Sequence, residues 1–407
     1  MKIQSNVSTS NALVQHPLVN QPDPATLPAL PDQPTVASSP AAPLAKLPIG
    51  ALATSPTATP VASLLINVTD TVRHDQLALA PIMRIQSIVA KPVPGKLKTS
   101  VTAVLFHESV SLCVTWTTDH HDHRLHSGSV VEIRRAKRDL NDGKGALIID
   151  RLVLREQPDT VTNLFKTIPH SWVADRVLVN MAINFWERLP RPLAFLLNAV
   201  FWEGGRFQRY VRCPSSVNGH HNRVCGNFEH SVDVVRRALR MAEGCGEHEF
   251  SLLIFGGLMH DAGKADEYDP SSKAPYYRFS LRGSLVGHHQ TLIEWLAVAQ
   301  KPARGIITDT QYLLIANMLT SHPKTPDYLA IRKPATSLSS ILSAADRMSG
   351  EADLLKRSAP TSEDGGKGTY HSHLGCSAFA LSSAEAEAFR CRPAANDPSV
   401  GDRSAME

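Results

Sequence analysis

Aromatic residues are absent from the first quarter of this 407-residue chain: no Phe, Trp or Tyr precedes Phe106. Residues 1–80 are rich in Pro, Ala, Ser and Thr instead. Such a segment cannot bury enough apolar surface to offset the entropy of ordering it, so a disordered tail is expected there. Also missing is any CxxC pair among the six cysteines (113, 213, 225, 245, 376 and 391), which argues against a zinc ribbon or a disulfide framework. No apolar run is long enough for a membrane span, and no basic segment followed by an apolar stretch opens the chain. A cytoplasmic protein without a membrane partner is therefore expected. Strong charge is lacking as well. The net +4 does not by itself announce nucleic acid. Basic residues do cluster, at Arg134, Arg135, Lys137 and Arg138, and again at Arg206, Arg209 and Arg212 around Phe207 and Tyr210. From Ser358 onward, Gly365-Gly366, scattered Ser and Pro, and acidic-Ala stretches predict a mostly disordered tail, with one short helix near Ser382–Phe389.

What is present is a concentrated set of metal-ligand residue types. His260-Asp261 closes an apolar helical run in Gly-Gly-Leu-Met-His-Asp-Ala-Gly-Lys (256–264). His230 lies upstream; His288, His322 and Asp346 lie downstream, each in or near a helix-period segment. Imidazole nitrogens with carboxylate oxygens suit a divalent first-row metal, and a shared carboxylate can bridge two ions. A buried histidine alone would more often be a satisfied core residue. Six ligand-type residues in this order, followed by Gly263 and Lys264, favour metal.

The helical stripes support that reading. Residues 232, 235, 238, 239 and 242 make an amphipathic helix over Ser231–Glu243, with His230 at its start. Phe250–Met259 forms the next helix, so His230 and His260 can converge at one end of an antiparallel pair. Leu285, His288, Leu292 and Trp295 share one face, which selects His288 as the inward residue and turns His289 about 100° away. Leu314, Met318 and His322 follow at i+4 steps. Asp346 shares a stripe with Leu338, Leu342 and Ser349, where an unpaired carboxylate would be costly without a metal.

The order His…His-Asp…Asp resembles the HD metal-dependent phosphohydrolase superfamily over about 200–356. Within it, the chain is most similar to the YhaM-type 3′–5′ exoribonucleases, which set an OB-fold ahead of the HD domain. The matching stretches are His220-His221-x4-Gly226-x3-His230, Leu-Met-His-Asp-Ala-Gly-Lys (258–264), Gly-Ser-Leu-Val-Gly-His (283–288), Thr-Ser-His (320–322) and Ala-Ala-Asp-Arg-Met (344–348). Pro323 stands where many relatives carry a second His. The resemblance implies that His230, His260, Asp261 and Asp346 hold one ion, with Asp261 bridging to a second held by His288 and His322. Mn2+ is the leading choice, with Fe2+, Mg2+, Co2+ or Ni2+ as alternatives. Asp261 and Lys264 are the expected catalytic residues, Lys264 stabilising negative charge on a phosphate oxygen. His220, His221 and Arg282 are the expected substrate contacts.

Five short alternating segments between 82 and 156 suit a small antiparallel barrel. Phe106 and Trp116 are its only aromatics available for base stacking, and both could equally be core. The Asp119–His123 tract between two strands is read as a polar turn. Two apolar runs at 173–186 and 192–202, separated by Pro190 and Pro192, read as bridging helices. The expected fold is α+β and multidomain: tail 1–80, OB-like barrel 81–158, helical connector 159–213, all-α HD bundle 214–357 and tail 358–407.

The function that follows is a metal-dependent phosphodiesterase acting on single-stranded RNA or DNA, read first as a 3′–5′ exonuclease, with homo-oligomer formation left open. Alternatives are an HD-type conjugative relaxase, a hydrolase of small or cyclic nucleotides, a two-iron oxygenase, and a non-catalytic nucleic-acid-binding adaptor. The missing Gly-Tyr-Pro signature weakens the cyclic-dinucleotide reading, and the barrel-first order weakens the relaxase.

Overall fold

The predicted alternation folds into β1 (Met83–Pro92), β2 (Thr99–His107), β3 (Val110–Thr118), β4 (Val130–Arg138) and β5 (Leu147–Leu154). The computed structural model describes residues 82–389 except 109, 139–146, 203–204, 273–276, 324–331 and 362–363. The tail expected at 1–80 thus lies outside the described residues. The strands close into a barrel in the order β1-β2-β3-β5-β4, sealed where Met83 pairs with Val131 and Arg84 with Val130. β3 and β5 run parallel, and the other neighbours are antiparallel. This is the OB-like barrel that the sequence predicts.

Alternate residues fill its interior, among them Ile85, Val101, Leu105, Val114, Trp116 and Ile149. Phe106, one position out of step with Leu105, is buried on the outside, its ring edge-on to His170 at 5.9 Å. Both candidate stacking aromatics are therefore buried. The Asp119–His123 tract is a turn, as expected, with Asp122 accepting from the backbone N–H and the guanidinium of Arg124.

After a 3-10 turn at Leu164–Thr167 come α1 (Arg176–Glu187), capped by Asp175, α2 (Arg191–Phe201), with Pro in its first turn, and α3 (Arg206–Arg212). Their apolar faces join one cluster that runs from Val130 and Leu164 through Phe207 and Phe228 to Leu342 and Ala345. The connector helices thus share a core with the helices that follow them. Two arginines of the basic cluster here are drawn into side-chain contacts. Arg206 lies 4.6 Å over the Trp295 ring, Arg209 pairs with Asp266 at 2.6 Å, and Phe207 and Tyr210 are buried.

The bundle continues with α4 (Gly226–Met241), α5 (Glu247–Met259), α6 (Leu281–Leu285), α7 (His288–Ala303), α8 (Asp309–Thr320) and α9 (Ser337–Ser358). A small hairpin, β6 (Tyr268–Pro270) and β7 (Tyr277–Phe279), sits between α5 and α6. Three helix readings shift. α4 begins five residues before Ser231, placing His230 in its second turn. Leu285 is 75% exposed and ends α6, because Gly287 with φ +80° breaks the helix before His288. α8 stops at Thr320, so the Leu314–Met318 stripe does not carry through to His322. α9 keeps its predicted face, with Leu338, Leu342 and Ser349 buried around Asp346.

The chain after Ser358 holds more structure than its composition predicts. A hairpin of β8 (Gly366–His371) and β9 (Cys376–Ala380) packs Ala378 inward, and α10 (Ser383–Glu387) forms where the short helix is expected. Composition undercounts such a hairpin because a single buried residue fastens it. Among the described residues, no helix is long and apolar enough to cross a membrane.

Candidate metal centre

α4 and α5 are antiparallel, and they bring His230 and His260 to one end of the pair, as their spacing predicts. The two Nε2 atoms lie 3.2 Å apart. His260 caps α5, and its Nδ1–H donates to the Gly257 carbonyl at 3.0 Å, which turns Nε2 toward the site. His230 is fully buried, with Nδ1 3.1 Å from Ser349 Oγ and Nε2 2.9 Å from Asp346 Oδ1. Asp261 Oδ2 lies 3.3 Å from His260 Nε2 and 3.5 Å from His230 Nε2. Its other oxygen, Oδ1, faces His288 Nε2 at 3.5 Å. Behind the His288 ring lies Glu267, whose Oε2 comes to 2.9 Å from Nδ1 as a charge contact without hydrogen-bond geometry.

Lys264 follows Asp261 by one turn, and its Nζ donates to Asp261 Oδ2 at 2.6 Å and to Ser215 Oγ at 3.2 Å. It is buried. Gly263 makes this turn fit. A Cβ at that position would come within 2.0 Å of the His288 carbonyl oxygen, so only glycine lets the turn pack against the start of α7.

The loop before α4 adds a second group. Ligand nitrogens of His220, His221 and His230 lie within 4.8 Å of one another, as do ligand atoms of His230, His260 and Asp261. His220 packs its ring 4.7 Å from that of His230 and against Gly350, whose missing side chain leaves the room. His221 adopts φ +44°, and its N–H donates to Asp353 Oδ2 at 2.7 Å. Buried nitrogens His220 Nδ1 and His221 Nε2 have no hydrogen-bond partner.

Two expected site residues stand apart. His322 is exposed beyond the end of α8, with its N–H donating to the Arg332 carbonyl, and it is not among the converging ligand groups. Arg282 holds α6 onto α7, its Nε donating to Thr291 Oγ1 at 2.8 Å and its other end pairing with Glu294. Ser349, Glu267, Asp353 and Ser215 were not legible as site residues. They lie against the candidate ligands or their neighbours, and none is of a residue type whose position in the sequence signals that role.

Charge is balanced inside the cluster. Burial opposes the Asp261 charge, but Lys264 and His260 outweigh it and hold the carboxyl well below its usual range. Asp346 is likewise depressed, burial being overcome by the His230 hydrogen bond and the charge of His260. Lys264 stays protonated because Asp261 more than offsets its desolvation. Burial, reinforced by His230, pulls His220 down to about 3, leaving a neutral imidazole.

The donor set fits a divalent ion. Bonds of about 2.1 Å set neighbouring ligands roughly 3 Å apart in an octahedral shell. The nitrogen and oxygen separations here, from 2.9 to 3.7 Å, fall in that range. The partnerless nitrogens of His220 and His221 are the kind of buried group that an ion, a water or a phosphate satisfies.

Residues 227–351 match the family model described as HD domain. Among curated proteins, the chain is similar to the 3′-5′ exoribonuclease YhaM of Bacillus licheniformis, 23% identical over 150 residues, 37% of this chain and 46% of that protein. The Bacillus subtilis protein of the same name is 22% identical over 148 residues, 36% and 46% of the two chains. The Listeria welshimeri one is 24% identical over 144, covering 35% and 44%. The match thus spans a little under half the length of these relatives. No solved structure gives a significant match.

Proposed function

We propose, from the premise that this chain is an HD-domain protein, that it is a metal-dependent phosphodiesterase degrading single-stranded nucleic acid from the 3′ end. The observation that carries this reading is the double orientation of Asp261: one oxygen faces His230 and His260, the other faces His288. A carboxylate so placed suits a bridge between two ions, which supply an activated hydroxide and neutralise phosphate charge when bound. His230, His260, Asp261 and Asp346 would hold the first ion. His288 would serve the second.

The chain's own residues do the rest. The Gly257 carbonyl fixes the His260 ring, and Glu267 sets a carboxylate against the far side of the His288 ring. Lys264 is a buried cation beside Asp261, placed to stabilise charge developing on a phosphate oxygen. The neutral imidazole of His220 can donate to or accept from a phosphate or a leaving hydroxyl. Asp346 is 45% exposed at its side chain, so the centre is reached from solvent on that side. The polymeric substrate class rests on the barrel ahead of the HD domain and on the exoribonuclease relatives. Mn2+ is the ion we favour for the mixed imidazole–carboxylate set.

The test is digestion of 5′-labelled single-stranded RNA and DNA with Mn2+, with a chelator control and the Asp261→Asn variant. A ladder shortening from the 3′ end, lost in both controls, is expected. Hydrolysis of a chromogenic phosphodiester without attack on either strand would make the protein a small-nucleotide hydrolase instead.

A further inference from the structure

The β8–β9 hairpin presents two bare aromatic rings at the end of α9 remote from Asp346. In its register Lys367 faces Phe379 and Tyr370 faces Ser377, with a bulge between Lys367 and Tyr370. Directly opposed residues share a face, and the extra bulge residue returns Tyr370 to the face of Lys367. That outer face carries Lys367, Tyr370, Ser377 and Phe379. Tyr370 is 66% exposed and Phe379 70%. The inner face is fastened to the end of α9: Ala378 is buried, and Gly368 lies so close that a Cβ there would come within 2.0 Å of the Ser358 carbonyl oxygen.

α9 connects this hairpin to the chemistry. Asp346 reaches the ligand cluster, Gly350 accommodates His220, Asp353 holds the N–H of His221, and Arg357 donates to the Gly219 carbonyl at 2.6 Å. From Asp346 to Ser358 is roughly 18 Å along the helix. The hairpin turn comes back toward the same loop, with His373 Cε1 3.8 Å from where a Gly219 Cβ would lie. The loop that carries His220 therefore touches the hairpin turn at one end and the ligand cluster at the other.

We infer that the outer face of this hairpin is a stacking platform for unpaired bases of a single strand whose end lies in the metal centre. Exposed aromatic faces stack on any base, and a neighbouring cation complements the phosphates, which is how sequence-tolerant single-strand sites are built. Lys367 supplies that cation. The barrel does not offer the same chemistry, because its two aromatics, Phe106 and Trp116, are both buried. The hairpin lies outside the residues matched by the family model. The inference rests on the proposed action on single strands.

The experiment compares the full chain with Tyr370→Ala/Phe379→Ala and with the conservative Tyr370→Phe/Phe379→Tyr. Binding of a labelled 12-nucleotide single strand is measured in chelator, and hydrolysis of a chromogenic phosphodiester is measured with Mn2+. Each ring removed should weaken strand binding roughly 5- to 100-fold. Chromogenic hydrolysis should stay unchanged, and the conservative variant should bind like wild type. A 12-mer carrying 5-iodouridine should crosslink to peptides covering 366–380. Equal binding by wild type and the alanine variant, or crosslinks confined to the barrel, would overturn the platform while leaving the nuclease reading standing. A wild-type protein that neither binds nor degrades single strands fails the nuclease reading itself. A change in oligomeric state caused by the alanine pair, without a change in strand binding, would assign the face to a second copy of the chain and overturn the inference.

Discussion

His230 enters the site with Nδ1 already beside Ser349, which leaves Nε2 as the nitrogen aimed at Asp346 and His260. A ligand ring fixed through its second nitrogen binds metal in one orientation, and loss of such a partner commonly costs 10- to 100-fold in affinity. Ser349→Ala should therefore lower Mn2+ affinity by about tenfold or more while the melting temperature falls by only a few degrees. Titration of the apo protein with Mn2+, read by calorimetry, checks this. An unchanged affinity would mean that the Ser349 hydroxyl only fills space. The sequence marks the candidate ligands but not the residues that support them. His260-Asp261 is visible because the doublet closes an apolar run, and Asp346 because a carboxylate on a buried stripe needs an explanation. Ser349 lies on the same stripe as Asp346 yet reads as an ordinary small core residue. Glu267, three residues after Lys264, reads as an ordinary charged loop residue.

Helix period brings most of the candidate ligands to converging faces, but it cannot see where a helix stops. His288 was assigned to the inner face through a stripe starting at Leu285. The stripe is sound from His288 through Leu292 and Trp295, while Leu285 belongs to another turn beyond Gly287. His322 was carried along α8 by the same logic, past a C-cap at Ser321 that the pattern Thr-Ser-His does not reveal. The loop bearing His220 and His221 had no periodicity to read. Its position comes from α9, where buried Asp353 accepts from the His221 N–H and pairs with Arg223 and Arg357, each at 3.0 Å. Burial works against the Asp353 charge, but these donors hold its carboxyl down at about 2. A folded-state value below the ordinary 3.8 means that the unfolded chain binds the proton more readily. Asp353 therefore contributes stability that is full above pH 4 and is lost as pH falls toward 2. Asp353→Asn should lower the melting temperature at pH 7, each kcal/mol lost being worth about 2–4 °C. The gap to wild type should close as the pH is lowered toward 2. A pH-independent difference in a melting series from pH 7 downward would show that the carboxylate charge is not what holds the loop.

Barrel and helical layer meet at a buried cation. Arg84 of β1 is 3% exposed, and its guanidinium lies 5.5 Å over Trp172 and 4.8 Å over Phe207. Its Nε donates to Thr167 Oγ1 at 2.7 Å and one Nη to the Gly128 carbonyl at 2.6 Å. Burial draws its pKa down to about 9, so the group still carries its charge at neutral pH. Two aromatic faces and fixed oxygens take the place of a carboxylate. Phe106 and Val130 add apolar contact across the same junction. Cutting the chain at 158 would strip all three from the helical layer and expose Phe207 and Trp172, so a truncated HD domain is a poor probe of what the barrel does. Arg84→Ala is a better one. It removes a fully packed stem and leaves Thr167 and Gly128 without their donor, a loss of about 2–4 kcal/mol. Arg84→Lys should recover only part of this, because an ammonium cannot fork between two acceptors while lying flat on two rings. If the junction passes the strand from barrel to metal centre, Arg84→Ala should slow degradation of long oligonucleotides while chromogenic hydrolysis stays near wild type. Its melting curve should split into two transitions, monitored by circular dichroism and by limited proteolysis between 155 and 175. A single transition at the wild-type temperature would show that Arg84 is not what couples the two parts.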